Sequence, residues 1–266
     1  MNILKKTLAP ITDRAWKEIE LQSDRVVREY LTTRQIIDID GPNGIEMGAV
    51  STGRLVIPPN QSKNGINYGI REVVPLVEVR KPFTLDLWEL DNASRNADDL
   101  DLENLEEAAR QIAAFEDDCL YHGFDGTHFP GMVKSMEGKP VKISLNAGDF
   151  IQTIVEQLAE LRKRAVEGPY ALVVPDQVWS KLVSLSSGYP LHRQMKEILE
   201  GPIILHHSNK EIFLVSKRGG DIELILGQDI SLGYEGHDTE KVKLFFTESF
   251  THRILGPEAF RVIQPA

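Results

Sequence analysis

Cysteine is almost absent from this chain: Cys119 is the single one among 266 residues. A lone thiol cannot close an intrachain disulfide, so no covalent staple supports the fold. Ile112, Phe115 and Leu120 around it mark an apolar helix face, where a thiol is buried and inert. No apolar run is long enough to cross a bilayer. The opening stretch MNILKKTLAPITD carries two lysines but lacks the apolar core of a secretion signal, which predicts a cytoplasmic protein. Basic charge is also short: 30 Lys and Arg stand against 40 Asp and Glu, a net charge of -10. A phosphate-binding surface needs concentrated cations, so nucleic acid is not an expected partner, and neither is a membrane.

Catalytic patterns are missing too. There is no G-x-S-x-G elbow, no phosphate loop and no dinucleotide fingerprint. A di-iron helix would need Glu-x-x-His, yet Glu116 is followed at that spacing by Cys119 and Asp118 by Tyr121. The acidic residues of that segment, Asp117 and Asp118 among them, therefore read as a solvated face. His122 and His128 flank HGFDGTH at a spacing that suits no zinc motif. His206 and His207 are neighbours on an expected strand and point to opposite faces. The reading is of a protein that is not an enzyme and holds no metal.

What is present is patterned for packing. Hydrophobic residues make up 41% of the chain and charged residues 26%, which is ordinary for a folded protein of one large or two moderate domains. Two blocks stand out: KPFTLDLWELDN from Lys81 to Asn92, and the segment from Arg218 to Glu248. Both alternate apolar and polar residues as half-buried strands do. Helices are expected over 12–31, with Thr12 or Asp13 as cap and Trp16, Ile19, Ser23, Val26, Val27 and Tyr30 on one stripe, then over 102–124, 149–166, 176–182 and up to Leu199. Arg34 to Asp40 reads as a strand ending at Gly41-Pro42, and from Ile203 onward strands dominate. The class is α+β without internal repeats.

Residues 49–80 are read as a long hairpin arm with the breaker-rich tip PPNQSKNG (58–65). It carries Val56, Ile57, Ile66, Tyr68, Ile70, Val73 and Val74, although an isolated two-stranded arm is marginal in water. Either a second copy of the chain covers those side chains, or the arm folds back on its own domain.

The order of these segments resembles the encapsulin shell proteins, also called the linocin or culture-filtrate bacteriocin family. The likeness rests on LAPITDRAWKEIE (8–20), TRQIIDID (33–40), Gly41-Pro42, PFTLDLWELDN (82–92), FEDD (115–118), EGPY (167–170), GYPL (188–191), RGGD (218–221), LGQD (226–229) and SLGYE (231–235). It spans essentially the whole chain. The resemblance implies a tailed-phage major-capsid (HK-97-like) fold. Residues 1–48 would be peripheral domain with the N-terminal helix, 49–80 the extended loop and 81–135 the peripheral spine helix. Residues 136–225 would form the axial domain, and 226–266 the closing peripheral strands.

It also implies a role. Sixty copies of a 29.9 kDa chain would close into an icosahedral particle of about 1.8 MDa. A cargo enzyme, in the family a dye-decolourising peroxidase or a ferritin-like iron oxidase tied to oxidative stress and iron storage, would dock through a C-terminal targeting peptide. The resemblance places that peptide against Tyr30, Arg34, Ile36 and Asp38 with Ile230, Leu232 and Tyr234. An intrachain Arg34–Asp38 pair would account for two of these residues without any ligand. Ser186, Ser187, Gly188, Tyr189 and His192 would line a five-fold pore. No cofactor is required; some relatives stack a flavin on the position of Trp88, although an intersubunit seam explains that residue as well. The competing readings are a phage-type capsid subunit and an enzyme of the kind once labelled protease or bacteriocin.

Overall fold

The computed structural model describes residues 3–59, 62–125, 130–184, 190–207 and 210–265. In chain order its strands are β1 (Asp38–Asp40), β2 (Ala49–Val56), β3 (Ser62–Lys63), β4 (Ile66–Asn67), β5 (Ile70–Pro75), β6 (Val77–Asp86), β7 (Val141–Ile143), β8 (Tyr170–Pro175), β9 (Ile203–His206), β10 (Ile212–Ser216), β11 (Ile222–His237), β12 (Lys241–Ile254) and β13 (Phe260–Pro265). The helices are α1 (Asp13–Tyr30), α2 (Leu87–Ser94), α3 (Glu103–His122), α4 (Gly131–Ser135), α5 (Ala147–Lys163), α6 (Asp176–Ser184) and α7 (Leu191–Leu199).

Two sheets organise the chain. The first has the order β1-β11-β12-β6, and the second β7-β13-β10-β8-β9. The alternation of the Arg218 block becomes the long antiparallel hairpin β11–β12, whose other edge is extended by β6. Ala15, Ile19 and Val26 of α1 pack with Leu105, Ala108 and Ile112 of α3 onto Phe83, Leu232, Leu244 and Phe246 of this sheet. These residues recur at three and four positions, the spacing that gives a helix one apolar stripe. Thr12 caps α1 by accepting from the Ala15 N–H. In the second unit Phe150, Ile154, Leu158 and Leu161 of α5 join Met195 and Leu199 of α7 over Leu172, Val174 and Leu214. A third cluster joins the units: Leu120 and Tyr121 at the end of α3 meet Val173, Phe213 and Val262.

Four local expectations change. The first block is strand only to Asp86, whose carboxylate then accepts from the N–H groups of Trp88 and Glu89 and starts α2. The segment from Arg34 opens with a 3-10 turn over Thr33–Gln35, and only Asp38–Asp40 is strand. The closing strand β13 pairs with β10 and β7 in the second sheet, not the first. Its apolar run suits a strand covered on both faces, whereas the first sheet already has its edge closed by β6. The boundary placed at 225 shifts as well, because β11 begins at Ile222 in the first sheet.

The solvated face expected on α3 is wrong at its most important points. Asp117 is fully buried, and its carboxylate accepts from the N–H and hydroxyl of Thr32 and of Thr33. His206 Nε2, on the edge strand of the second sheet, lies 3.3 Å away. One carboxylate thus satisfies the turn after α1 and reaches into the other unit. Asp117→Ala would leave two buried N–H groups and two hydroxyls without their acceptor, at a cost of about 3–5 kcal/mol. Asp117→Asn keeps one acceptor and should lie between. Denaturant midpoints of the two variants against the native chain check this order.

Candidate functional site: a charged groove beside the first helix

The flank of α1 next to its buried stripe forms one wall of an open groove of about 360 Å³. Asp24, Val27, Arg28 and Leu31 line that wall; Arg34, Asp229 and Ile230 line the other. The second wall exists because β11 is irregular. Its pairing with β12 slips between Leu226 and Gln228 and again between Gln228 and Ser231. Bulges of this kind re-aim side chains, and here the slip turns Asp229 and Ile230 toward the helix. The distorted backbone is satisfied locally: the Ile230 N–H donates to Asp229 Oδ1 at 2.8 Å and the Ser231 hydroxyl to the Asp229 carbonyl at 2.7 Å.

Arg34 is the hub of the floor. Its Nη2 donates to Glu116 Oε2 at 2.5 Å and to Glu248 Oε1 at 2.8 Å, its Nε to Glu116 Oε1 at 2.9 Å, and its Nη1 to Asp229 Oδ1 at 2.8 Å. Glu116 and Glu248 are 1% and 0% exposed, while the Asp229 side chain keeps 46% of its surface open to the groove. Burial alone would loosen the guanidinium proton, but the hydrogen bond to Glu116 and the three carboxylate charges outweigh it and hold Arg34 cationic. Burial, then repulsion from Glu116, pushes the Glu248 carboxyl well above its ordinary 4.5.

The residues expected to hold a ligand divide. Arg34 and Ile230 do line the groove. Leu232 and Tyr234 are buried beneath α1, Tyr30 packs partly against the same core, and Ile36 sits in the cluster between the units. Asp38 accepts from the Gly220 N–H beside a separate small cavity, so the Arg34–Asp38 pair does not form. Sequence reasoning missed Asp24, Val27, Leu31 and Asp229. The stripe on α1 was legible, but its flank acquires meaning only when β11 slips beside it.

The other sites are simpler. Cys119 is 2% exposed and its thiol is pushed up to about 12 by burial and then by Asp118, as an inert core thiol should be. His206 and His207 diverge as expected: the first is buried against Asp117, the second meets Asp176 at 3.0 Å on the surface. Ser186, Ser187, Gly188 and Tyr189 lie outside the described residues. His192 packs edge-on against Trp179, and burial, then Lys196 and Arg193, lowers its pKa. Trp88 stands 74% exposed on α2.

The arm is the second notable surface. Among the described residues strands β2 and β5 pair only with each other, as do β3 and β4 near the tip. Large apolar side chains along it stay open, from Tyr68 at 46% to Ile66 at 69% exposed, with Leu55, Val56, Ile57, Ile70 and Val73 between. Only the base of the arm touches its own domain, where Val74 packs against Leu224, Leu226 and Phe250 and Arg253 donates to the Ser51 carbonyl; the seven side chains beyond it stay exposed among the described residues.

A spine helix over a long hairpin, a second sheet-and-helix unit and a projecting arm define the capsid-subunit fold. The virus-like particle from Pyrococcus furiosus superposes with a TM-score of 0.66 at 19% identity, over 94% of this chain and 99% of that one. The capsid of Myoviridae phage XM1 gives 0.58 at 14% identity, over 89% and 92%. Within that fold the sequence is more specific. The family described as "Encapsulating protein for peroxidase" matches residues 1–251. A type 1 encapsulin shell protein of Rhodospirillum rubrum is 38% identical over 97% of this chain and 95% of its own. The chain belongs to the encapsulin family.

The buried acid gives a pH dependence of defined sign. A group whose folded pKa is raised contributes stability fully below its unfolded value, near 4.5, and loses it as pH rises through the folded value. Thermal midpoints of the native protein should therefore fall as pH rises above that unfolded value. Glu248→Gln, which is neutral and can still accept from Arg34, should flatten that decline.

Proposed function

We propose that the chain is a self-assembling subunit of a closed proteinaceous shell that encloses a cargo enzyme. The observation that carries this reading is the arm: a paired ribbon on which seven large apolar side chains remain exposed among the described residues. Burying each such side chain gains about 1.5–3 kcal/mol, so covering the ribbon yields on the order of 10 kcal/mol per subunit. Copies of the same chain are the partner that a capsid-type fold provides. A head-to-tail contact of this kind closes only under point symmetry, and sixty copies make the smallest icosahedral shell, about 1.8 MDa. The subunit itself performs no catalysis and acts by enclosure in the cytoplasm. Among the described residues no helix is long and apolar enough to cross a membrane.

Cargo would enter through the groove beside α1. Val27, Leu31 and Ile230 offer aliphatic contact to an extended C-terminal peptide, and Asp24, Arg28 and Asp229 fix its direction by charge. Sixty such grooves facing the lumen would hold an oligomeric cargo through avidity even if each contact is weak. The family description favours a peroxidase as that cargo over a ferritin-like iron oxidase. Small substrates would pass through pores at the axes, with His192 near the five-fold opening. Trp88 offers a flat exposed face that fits a flavin ring, the enclosure then coming from an adjoining subunit. Flavin absorbance in purified particles would test that fit.

Ile66→Asp combined with Ile70→Asp should leave the subunit folded by circular dichroism but abolish round particles in electron micrographs. Intact particles from this variant would remove the arm as the assembling element. Because burial and two cations lower the His192 pKa, any charge-dependent passage of small anions should change only below the ordinary 6.5, and His192→Gln should erase that change in a dye-influx assay.

A further inference from the structure

The groove floor holds more negative charge than its cation can balance. Arg34 faces Glu116, Glu248 and Asp229 at once, and two of those carboxylates converge on a single nitrogen, Nη2. With all three ionised, the cluster would carry two uncompensated charges, two of its three acids being buried. Such a charge is costly in a protein interior unless it is neutralised. A second observation says how. Glu248 Oε2 is buried and, as a carboxylate oxygen, has no donor among the described residues. Placed there, a proton would turn that orphan acceptor into an O–H, with the adjoining Glu116 carboxylate to receive it.

We propose that Glu116 and Glu248 hold one proton between them and that this proton sets the charge beneath the groove, so that docking in the groove is coupled to its gain or loss. Dicarboxylate pairs that cannot both ionise behave in this way. Among the described groups facing Glu248, Glu116 is the buried carboxylate that meets the same guanidinium nitrogen, whereas Asp229 is half-exposed and bonded to Nη1. From α3 the facing groups are Glu116 and the buried Cys119, from the turn after α1 Arg34, and from β11 Asp229; the neighbouring strand β6 presents Val79 opposite. Burial and the Glu116 charge both act to keep the proton on Glu248. Loss of it adds one negative charge to a floor that opens to the groove through Asp229.

The consequence has a sign. A cationic occupant beside Asp229 favours the ionised pair, so it binds with proton release and more tightly as pH rises. An anionic occupant does the reverse. The change is limited to about tenfold in affinity per pH unit, because a single proton is involved. The shared proton itself depends only on the cluster; its coupling to a ligand rests on the reading of the groove as a peptide dock.

Infrared spectra of the native protein test the proton directly. The carbonyl band of an un-ionised carboxyl should persist at neutral pH and vanish on alkaline titration. Glu248→Gln and Glu116→Gln should each abolish its titration. A native protein with no such band at neutral pH overturns the proposal. Coupling is read with two synthetic probes sharing one Leu-Gly core, one ending in two lysines and the other in two glutamates. In the native protein their affinities should diverge over the pH range in which the infrared band disappears, and in Glu248→Gln the divergence should be lost. Equal slopes in the two proteins overturn the coupling. Failure of both probes to bind at any pH removes the groove as a dock and the coupling with it, while the infrared band still decides the shared proton.

Discussion

Two consecutive buried carboxylates on the spine helix hold this subunit together at its busiest joint. Glu116 grips Arg34 and Asp117 grips Thr32 and Thr33, so successive residues of one turn are anchored to successive residues of one helix. Everything near the joint inherits its position from that clasp. It fixes the exit of α1, sets the guanidinium that Asp229 and Glu248 approach from β11 and β12, and through His206 ties the second sheet to the first. Charge-assisted hydrogen bonds in a low-dielectric interior are strong when complete and costly when broken, which makes such a joint rigid and specific.

Rigidity inside contrasts with exposure outside. Each unit closes its own apolar core with helices on a sheet, yet the arm carries comparable side chains into water. A subunit built this way is complete as a fold and incomplete as a surface. On the proposed reading that difference is what would drive association: the core needs no partner, and the ribbon would. The groove beside α1 belongs to the rigid part, so a ligand there meets a preformed wall and a fixed arginine and need not order a loop on binding.

Much of this was legible in the residues. The stripe on α1, the apolar spacing of α3, the alternation of β11 and β12 and the two-stranded arm follow from period alone. Other features were not, each for a physical reason. The block from Lys81 to Asn92 reads as one strand, but its alternation stops at Leu87-Trp88 and the Asp86 cap starts a helix there. Asp117 looks like one more charge on an acidic helix, because its four donors come from a turn more than eighty residues away. Asp229 entered the groove only through two slips of register, which no short-range pattern announces.

The chain's linear pattern alone determined the elements, the class and, through motifs spread over its full length, the family. Periodicity and turn chemistry are local, and they survive without knowledge of neighbours. Tertiary structure decided which charges are buried, which strand joins which sheet and which side chains line the groove. Those outcomes depend on solvent exclusion and on partners far apart in sequence, and only the folded chain brings them within a few ångströms of one another.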